Sequence, residues 1–217
     1  MRIVLGIHPG SLWVSYPVKD VSRLASLLPA PLRLCKCKLV EGDADEYRFL
    51  FNAYTVGSSV MKGQRLDVQT FAEHEEWGTK HLVLVDCLTN TLDWSPCKGI
   101  HVGGARIATG RRGSGIYFAA AGRGGKFHLR GRQGKARNVD HAFAVEGNRQ
   151  VYHFERQEPW CMAFDEALVA SPIHLLSDVV VENTLWKEYR DDTCTHAFLH
   201  RHPMHFSVDW EREGASP

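Results

Sequence analysis

Short runs of β-branched and aromatic residues succeed one another along this chain, broken by glycine, proline or acidic turns, and helical stretches are too few to alternate with them. Residues 65–70 carry the clearest pattern. Leu66, Val68 and Thr70 alternate with Arg65, Asp67 and Gln69, the period of two that marks a half-buried strand. Residues 12–16 read as a strand ended by Pro17, and residues 47–56 and 81–88 as more continuously apolar strands, covered on both faces. Further strands are expected at 115–121, 126–130, 141–146, 150–154, 179–181 and 204–210. Helix is confined to three stretches. At 21–28, Asp20 caps a segment with Val21, Leu24, Leu27 and Leu28 on one face, and Pro29 and Pro31 stop it; the others are 165–170 and 183–190. A βαβ fold needs helices between successive strands, so the expected class is mainly β (α+β).

The chain has 217 residues, 44% hydrophobic and 24% charged, which suits one globular domain over residues 1–212 with a frayed tail at 213–217. Twenty-six Lys plus Arg against 25 Asp plus Glu give a net charge of +1, too balanced for a chain whose main partner is a polyanion. Nucleic acid is therefore not an expected partner. No apolar run reaches membrane-spanning length and the N-terminus lacks a basic, then apolar, leader, so a cytoplasmic protein with no membrane partner is expected. The six cysteines include no CxxC pair and read as free thiols, with Cys35 and Cys37 as buried small hydrophobes. His196, His200, His202 and His205 approach metal-ligand spacing, but Pro203 interrupts them and no carboxylate sits among them. No metal is expected there. Residues 103–139 hold ten glycines and nine Lys or Arg with no Asp or Glu. That composition suits a solvated, flexible hairpin surface or a cradle for a phosphate or carboxylate.

The order of features, a strand, a short helix and then Leu27-Leu28-Pro29-Ala30-Pro31-Leu32, resembles the opening of acetoacetate decarboxylase-like proteins. The run Tyr47-Arg48-Phe49-Leu50-Phe51-Asn52-Ala53-Tyr54 resembles their next strand, and residues 61–70 the one after. His81-Leu82-Val83-Leu84-Val85-Asp86 resembles the strand leading to their reactive loop, which here reads Ser95-Pro96-Cys97-Lys98-Gly99. The likeness covers residues 12–107 in order and is vaguer to about 210. It implies a closed or partly closed antiparallel β-barrel with a few short helices, no cofactor, and a homo-oligomer.

In that family a lysine after the proline attacks a ketone to form a Schiff base, and a second lysine lowers its pKa. Superposing the prolines puts Cys97 at the first lysine and Lys98 at the second; a slip of one residue restores Lys98 as nucleophile without its cationic neighbour. Burial in an apolar barrel disfavours the ammonium form and lowers such a pKa. The resemblance thus implies an enzyme of lyase type acting on a keto acid or related carbonyl or carboxylate compound by decarboxylation, aldol or dehydratase chemistry. Lys98 and Asp67 are its expected catalytic residues, with Arg65, Tyr54, Trp94, Tyr117 and His101 on the substrate side. Cys97, four residues before His101, is a further candidate nucleophile.

Two other readings stand beside this one. A non-catalytic barrel that binds a small ligand keeps the architecture and loses the lysine pair. Gly113-Ser114-Gly115-Ile116-Tyr117-Phe118-Ala119 resembles the nicotinamide-stacking strand of poly-ADP-ribose polymerase-type transferases, which implies NAD as substrate and Tyr117 as the stacking ring. That family's earlier histidine-glycine strand has no clear counterpart, since His101 is close and followed by Val102.

Overall fold

A computed structural model describes residues 2–7, 11–57, 62–76, 78, 80–90, 102–138, 150–153, 158–161, 163–164, 172–201 and 204–209. Its strands are β1 (Arg2–Ile7), β2 (Ser11–Pro17), β3 (Leu32–Leu34), β4 (Arg48–Gly57), β5 (Lys62–His74), β6 (Lys80–Thr89), β7 (Val102–Arg112), β8 (Gly115–Gly122), β9 (Gly125–Arg137), β10 (Gln150–His153), β11 (Glu158–Cys161), β12 (Ala163–Phe164), β13 (Ile173–Asn183), β14 (His196–His200) and β15 (Met204–Asp209). One α-helix, α1 (Val21–Ala25), stands among the described residues. The Asp20 carboxylate caps it, accepting from the Arg23 backbone N–H at 2.9 Å. α1 ends a turn earlier than its apolar spacing suggests: Leu24 and Leu28 are buried, but Leu27 is exposed.

Nine strands pair edge to edge into a ring, in the order β4, β5, β6, β7, β8, β9, β13, β14, β2 and back to β4. The ring is antiparallel except between β6 and β7, which run parallel. Alternate side chains of every strand therefore point into it. Leu12, Val14 and Tyr16, Phe49 and Phe51, Leu66 and Val68, Leu88, Ile116 and Phe118, Phe127 and Leu129, Ala197 and Leu199 form one buried cluster. Phe51 and Phe127 stack at 5.5 Å between centroids from β4 and β9, on opposite sides of the ring, which places this cluster inside. The barrel interior is a packed apolar core.

A second apolar cluster, Trp13, Leu50, Phe71, Leu82 and Phe198, lies on the other face, under Cys35, Cys37, Leu39 and Val40. Buried Arg48 pins that covering segment. It donates to Cys37 O, Ser15 Oγ and Thr195 Oγ1 and pairs with Asp43 and Glu46 at 3.6 and 3.2 Å. Cys35 and Cys37 are buried free thiols, as expected.

Two branches leave the ring. β1 extends from β4 and carries β15 and then β12; β10 extends from β6 and carries β11. A single residue separates β11 from β12 in the chain, so the two branches meet through the backbone. They flank β5 on either side.

Three sequence expectations change. The glycine-rich stretch is no loose hairpin: β7, β8 and β9 are three ring strands joined by turns at Gly113 (φ 60°) and at Gly124 (φ 93°) with Gly125 (φ 146°), conformations that glycine adopts without steric cost. Ile116, Phe118, Phe127 and Leu129 face the core, so only the outer face is solvated. The helix expected at 183–190 is a series of turns instead. The Asn183 Oδ1 accepts from the Leu185 N–H, and the Arg190 guanidinium takes the carbonyls of Leu185, Asp191 and Asn183, satisfying backbone groups without a helical ladder. The strands expected at 126–130 and 179–181 are longer, because their partners extend the ladder. The helix expected at 165–170 and the strand at 141–146 lie outside the described residues. Among those residues, no helix is long and apolar enough to cross a membrane.

Candidate functional site

On β5 the even residues Leu66 and Val68 enter the core, so Arg65 and Asp67 face the opposite side, as the alternation in the sequence requires. Strand register then supplies their neighbours. Tyr54 of β4 stands beside Arg65, and Asn52 beside Asp67; across the other edge, Thr89 of β6 stands beside Arg65, and Cys87 beside Asp67. A β-bulge between Val68 and Gln69 follows directly, a device that re-aims side chains next to it.

The side chains interlock. Tyr54 donates its hydroxyl to Asp67 Oδ2 at 2.7 Å, while Arg65 Nε and Nη2 donate to Oδ1 at 3.2 and 3.1 Å. Tyr54, Arg65 and Asp67 are 7%, 4% and 5% exposed, so ion pair and phenol sit out of water. Asn52 Oδ1 accepts from Ser11 Oγ at 2.7 Å, extending the polar face onto β2. Cys87 is buried against the same carboxylate.

Burial sets the protonation states. It raises the Tyr54 pKa well above the ordinary phenol value, which keeps the hydroxyl a donor. For Arg65, burial works against the cation, but attraction from Asp67 prevails and raises the pKa. Burial first, and the Asp67 charge second, raise the Cys87 pKa, so this sulfur is a thiol and no nucleophile. The set is a fixed carboxylate held by one permanent cation and one neutral donor.

Three residues singled out in the sequence, Tyr54, Arg65 and Asp67, come together here. Tyr117 does not. It projects from β8 on the outer face of the barrel and is 46% exposed. Trp94, Cys97, Lys98 and His101 lie outside the described residues. The anchors of their segment are described, however: β6 ends at Thr89, beside Arg65, and β7 begins at Val102, beside Cys87. Twelve residues, 90–101, make this parallel connection, about the minimum such a crossover needs.

Asn52, Ser11 and Cys87 were not foreseen. Their only signal in the sequence is polarity inside apolar runs, and that becomes informative only when register is known. Of the histidines, His196 contacts Asp43 Oδ1 at 3.3 Å and Arg48 Nη1 at 3.4 Å, and His200 is buried. Among the described residues, no group of three or more His, Cys, Asp or Glu could hold a metal ion.

No protein-family model matches this sequence, and comparison with curated proteins finds no match. Solved structures do match in shape. The enduracididine biosynthesis enzyme MppR complexed with pyruvate has a TM-score of 0.59 at 12% identity, over 95% of this chain and 87% of that one. Acetoacetate decarboxylase from Legionella pneumophila subsp. pneumophila str. Philadelphia 1 has a TM-score of 0.59 at 8% identity, over 94% and 84%. An acetoacetate decarboxylase-like enzyme from Sphingomonas wittichii RW1 has a TM-score of 0.56 at 12% identity, over 95% and 91%. MppR is also solved with the condensation product of pyruvate and imidazole 4-carboxaldehyde. The chain thus has the acetoacetate decarboxylase-like fold, at a distance where sequence retains little of the likeness.

Proposed function

We propose that this protein acts on a small keto acid or related carbonyl compound, with the amine of Lys98 as Schiff-base nucleophile and the Asp67 cluster as its partner. The observation that carries this reading is the anchoring of residues 90–101. One end follows Thr89, which pairs with Arg65, and the other precedes Val102, which pairs with Cys87, the cross-strand neighbour of Asp67, so the segment that carries Lys98 leaves and rejoins the sheet within two strands of the buried carboxylate. The amine adds to the substrate carbonyl carbon and water leaves, giving an iminium that accepts the electron pair released when a neighbouring carbon loses carbon dioxide or a proton. Asp67 moves the proton at that carbon, and Arg65 with Tyr54 holds the carboxylate in place. The pyruvate bound by MppR supports an α-keto acid as the first substrate to try.

Borohydride reduction in the presence of pyruvate or acetoacetate is the test. A stable adduct on Lys98, absent from Lys98→Arg, is the expected result; a panel of ketones that leaves Lys98 unmodified refutes the proposal. A second reading, a binding barrel without turnover, is favoured by one observation: Cys97 stands where the family's first lysine is expected. Ligand affinity unchanged by Lys98→Arg, with no adduct, supports it.

A further inference from the structure

The outer face of β7, β8, β9 and β13 takes no part in the proposed site. Register builds it in ranks across the sheet. Gly110, Tyr117, Arg130 and Val180 form one rank, and Ala108, Ala119, His128 and Glu182 the next. Arg112, Gly115 and Arg132 flank them on one side, Arg106, Ala121 and Lys126 on the other. At the centre, the Tyr117 side chain packs close against Gly110: a Cβ at that glycine would overlap the edge of the ring, 2.6 Å from Cζ and 2.8 Å from Oη. The ring is thus held against the strand, and Tyr117 is nonetheless 46% exposed. Beside it runs a groove of about 180 Å³ between Tyr117, His128, Arg130, Val180 and Glu182.

The charge on this face is one-sided. Among the described residues, Arg106, Arg112, Arg130 and Arg132 have no carboxylate partner. Glu182 faces Lys126 and His128 at 3.5 and 3.9 Å, and Asp178 sits in the irregular part of β13. The overall balance of +1 therefore conceals a segregation: Arg106, Arg112, Lys126, Arg130 and Arg132, five of the nine cations of residues 103–139, share one sheet face, and the acidic residues of 41–46 are engaged elsewhere. Asp43 and Glu46 pair with Arg48, and Glu41 accepts from Asn138.

We propose that this face binds single-stranded nucleic acid, with Tyr117 as the platform for a base and Arg106, Arg112, Arg130 and Arg132 as contacts for the phosphates. An exposed ring on a sheet, ringed by cations without carboxylate partners, is how sheet-surface domains hold unpaired strands: every base offers a π-face, and phosphates supply the missing anions. Alternate residues along a strand are about 6.8 Å apart and neighbouring strands about 4.8 Å, so the arginines can follow a backbone passing over the ring. Small residues at 108, 119 and 121 leave its path open. A second copy meeting this face through a two-fold axis would set arginine against arginine, which charge disfavours. A membrane surface would call for inserted apolar side chains, and beside Tyr117 only Val180 is exposed here.

The test uses the full chain and fluorescence anisotropy of a 5′-fluorescein-labelled single strand of about 16 nucleotides, the upper range of site sizes for one such domain. Titration at about 50 and 200 mM salt reads the ionic contribution. Tyr117→Ala should weaken binding by about 5- to 100-fold, the range expected for loss of one stacked base, and Tyr117→Phe should retain it. Arg130→Glu with Arg132→Glu should weaken binding at least tenfold and flatten the salt dependence. The duplex of the same sequence should bind more weakly and be indifferent to Tyr117→Ala. All three positions are exposed, so the variants should melt with the parent, and a variant that does not is replaced by Arg112→Glu with Arg106→Glu. Four results overturn the proposal: no binding at low salt; binding unchanged by Tyr117→Ala and matched by heparin; preference for phosphatidylserine vesicles over the oligonucleotide; or self-association abolished by Arg130→Glu.

Discussion

Removal of the Asp67 charge tests the physical claim on which the candidate site rests. Arg65 is 4% exposed and gives two hydrogen bonds to Asp67 Oδ1, and its raised pKa keeps it charged at every accessible pH. Asp67→Asn preserves shape and one acceptor for Tyr54, but leaves the Arg65 cation without its carboxylate. Breaking one side of a buried pair costs about 3–5 kcal/mol, against about 0–1 kcal/mol for a pair in water. The reverse change, Arg65→Met, leaves a buried carboxylate without its cation and should also be destabilising. The double variant Arg65→Met with Asp67→Leu removes both charges and should cost at least about 2 kcal/mol less than the two single losses added together. Urea unfolding followed by tryptophan fluorescence at pH 5.5 and 8 measures all three. Asp67→Asn costing under about 1 kcal/mol, or additive single losses, would refute a desolvated, coupled pair.

Phe51 is wholly buried and meets Tyr16, Phe49 and Phe127 at 5.5–5.6 Å between centroids, so Phe51→Ala should cost about 3–5 kcal/mol in urea. Arg48→Met should cost a comparable amount and open the 35–46 segment to protease, measured by cleavage rate under native conditions. Gly134→Ala places a Cβ 2.5 Å from the Leu175 carbonyl oxygen, and forcing β9 from β13 should cost about 1–3 kcal/mol. Burial, then nearby His74, lowers the His81 pKa to about 4 from an ordinary 6.5. A depressed folded-state pKa makes stability full above pH 6.5 and progressively lost from there down to about 4. His81→Phe should flatten that part of the stability profile, and an unchanged profile would contradict a buried neutral imidazole.

Period and punctuation sufficed for the mainly β class. Alternation at 65–70 is a local property of one strand, so it correctly sent Leu66 and Val68 one way and Arg65 and Asp67 the other. Residues 183–190 failed because an Asn183 turn and the reach of Arg190 outcompete helical bonds, and such competition is decided by what lies nearby in space. Residues 103–139 misled for a related reason: glycines and arginines describe flexibility and solvent when read locally, yet Ile116, Phe118, Phe127 and Leu129 found a core on strands far away in sequence. Balanced net charge hid the arginine face in the same way, since a sum carries no position.

Register was beyond the sequence. That Tyr54 stands beside Arg65, Cys87 beside Asp67, and Tyr117 upon Gly110 depends on how strands slide before they lock. A slip of one residue reverses every side chain while leaving each strand's own pattern untouched. The chain alone determined which residues could share a face; closure of the ring decided which face holds the apolar core, which holds the buried ion pair and which meets solvent.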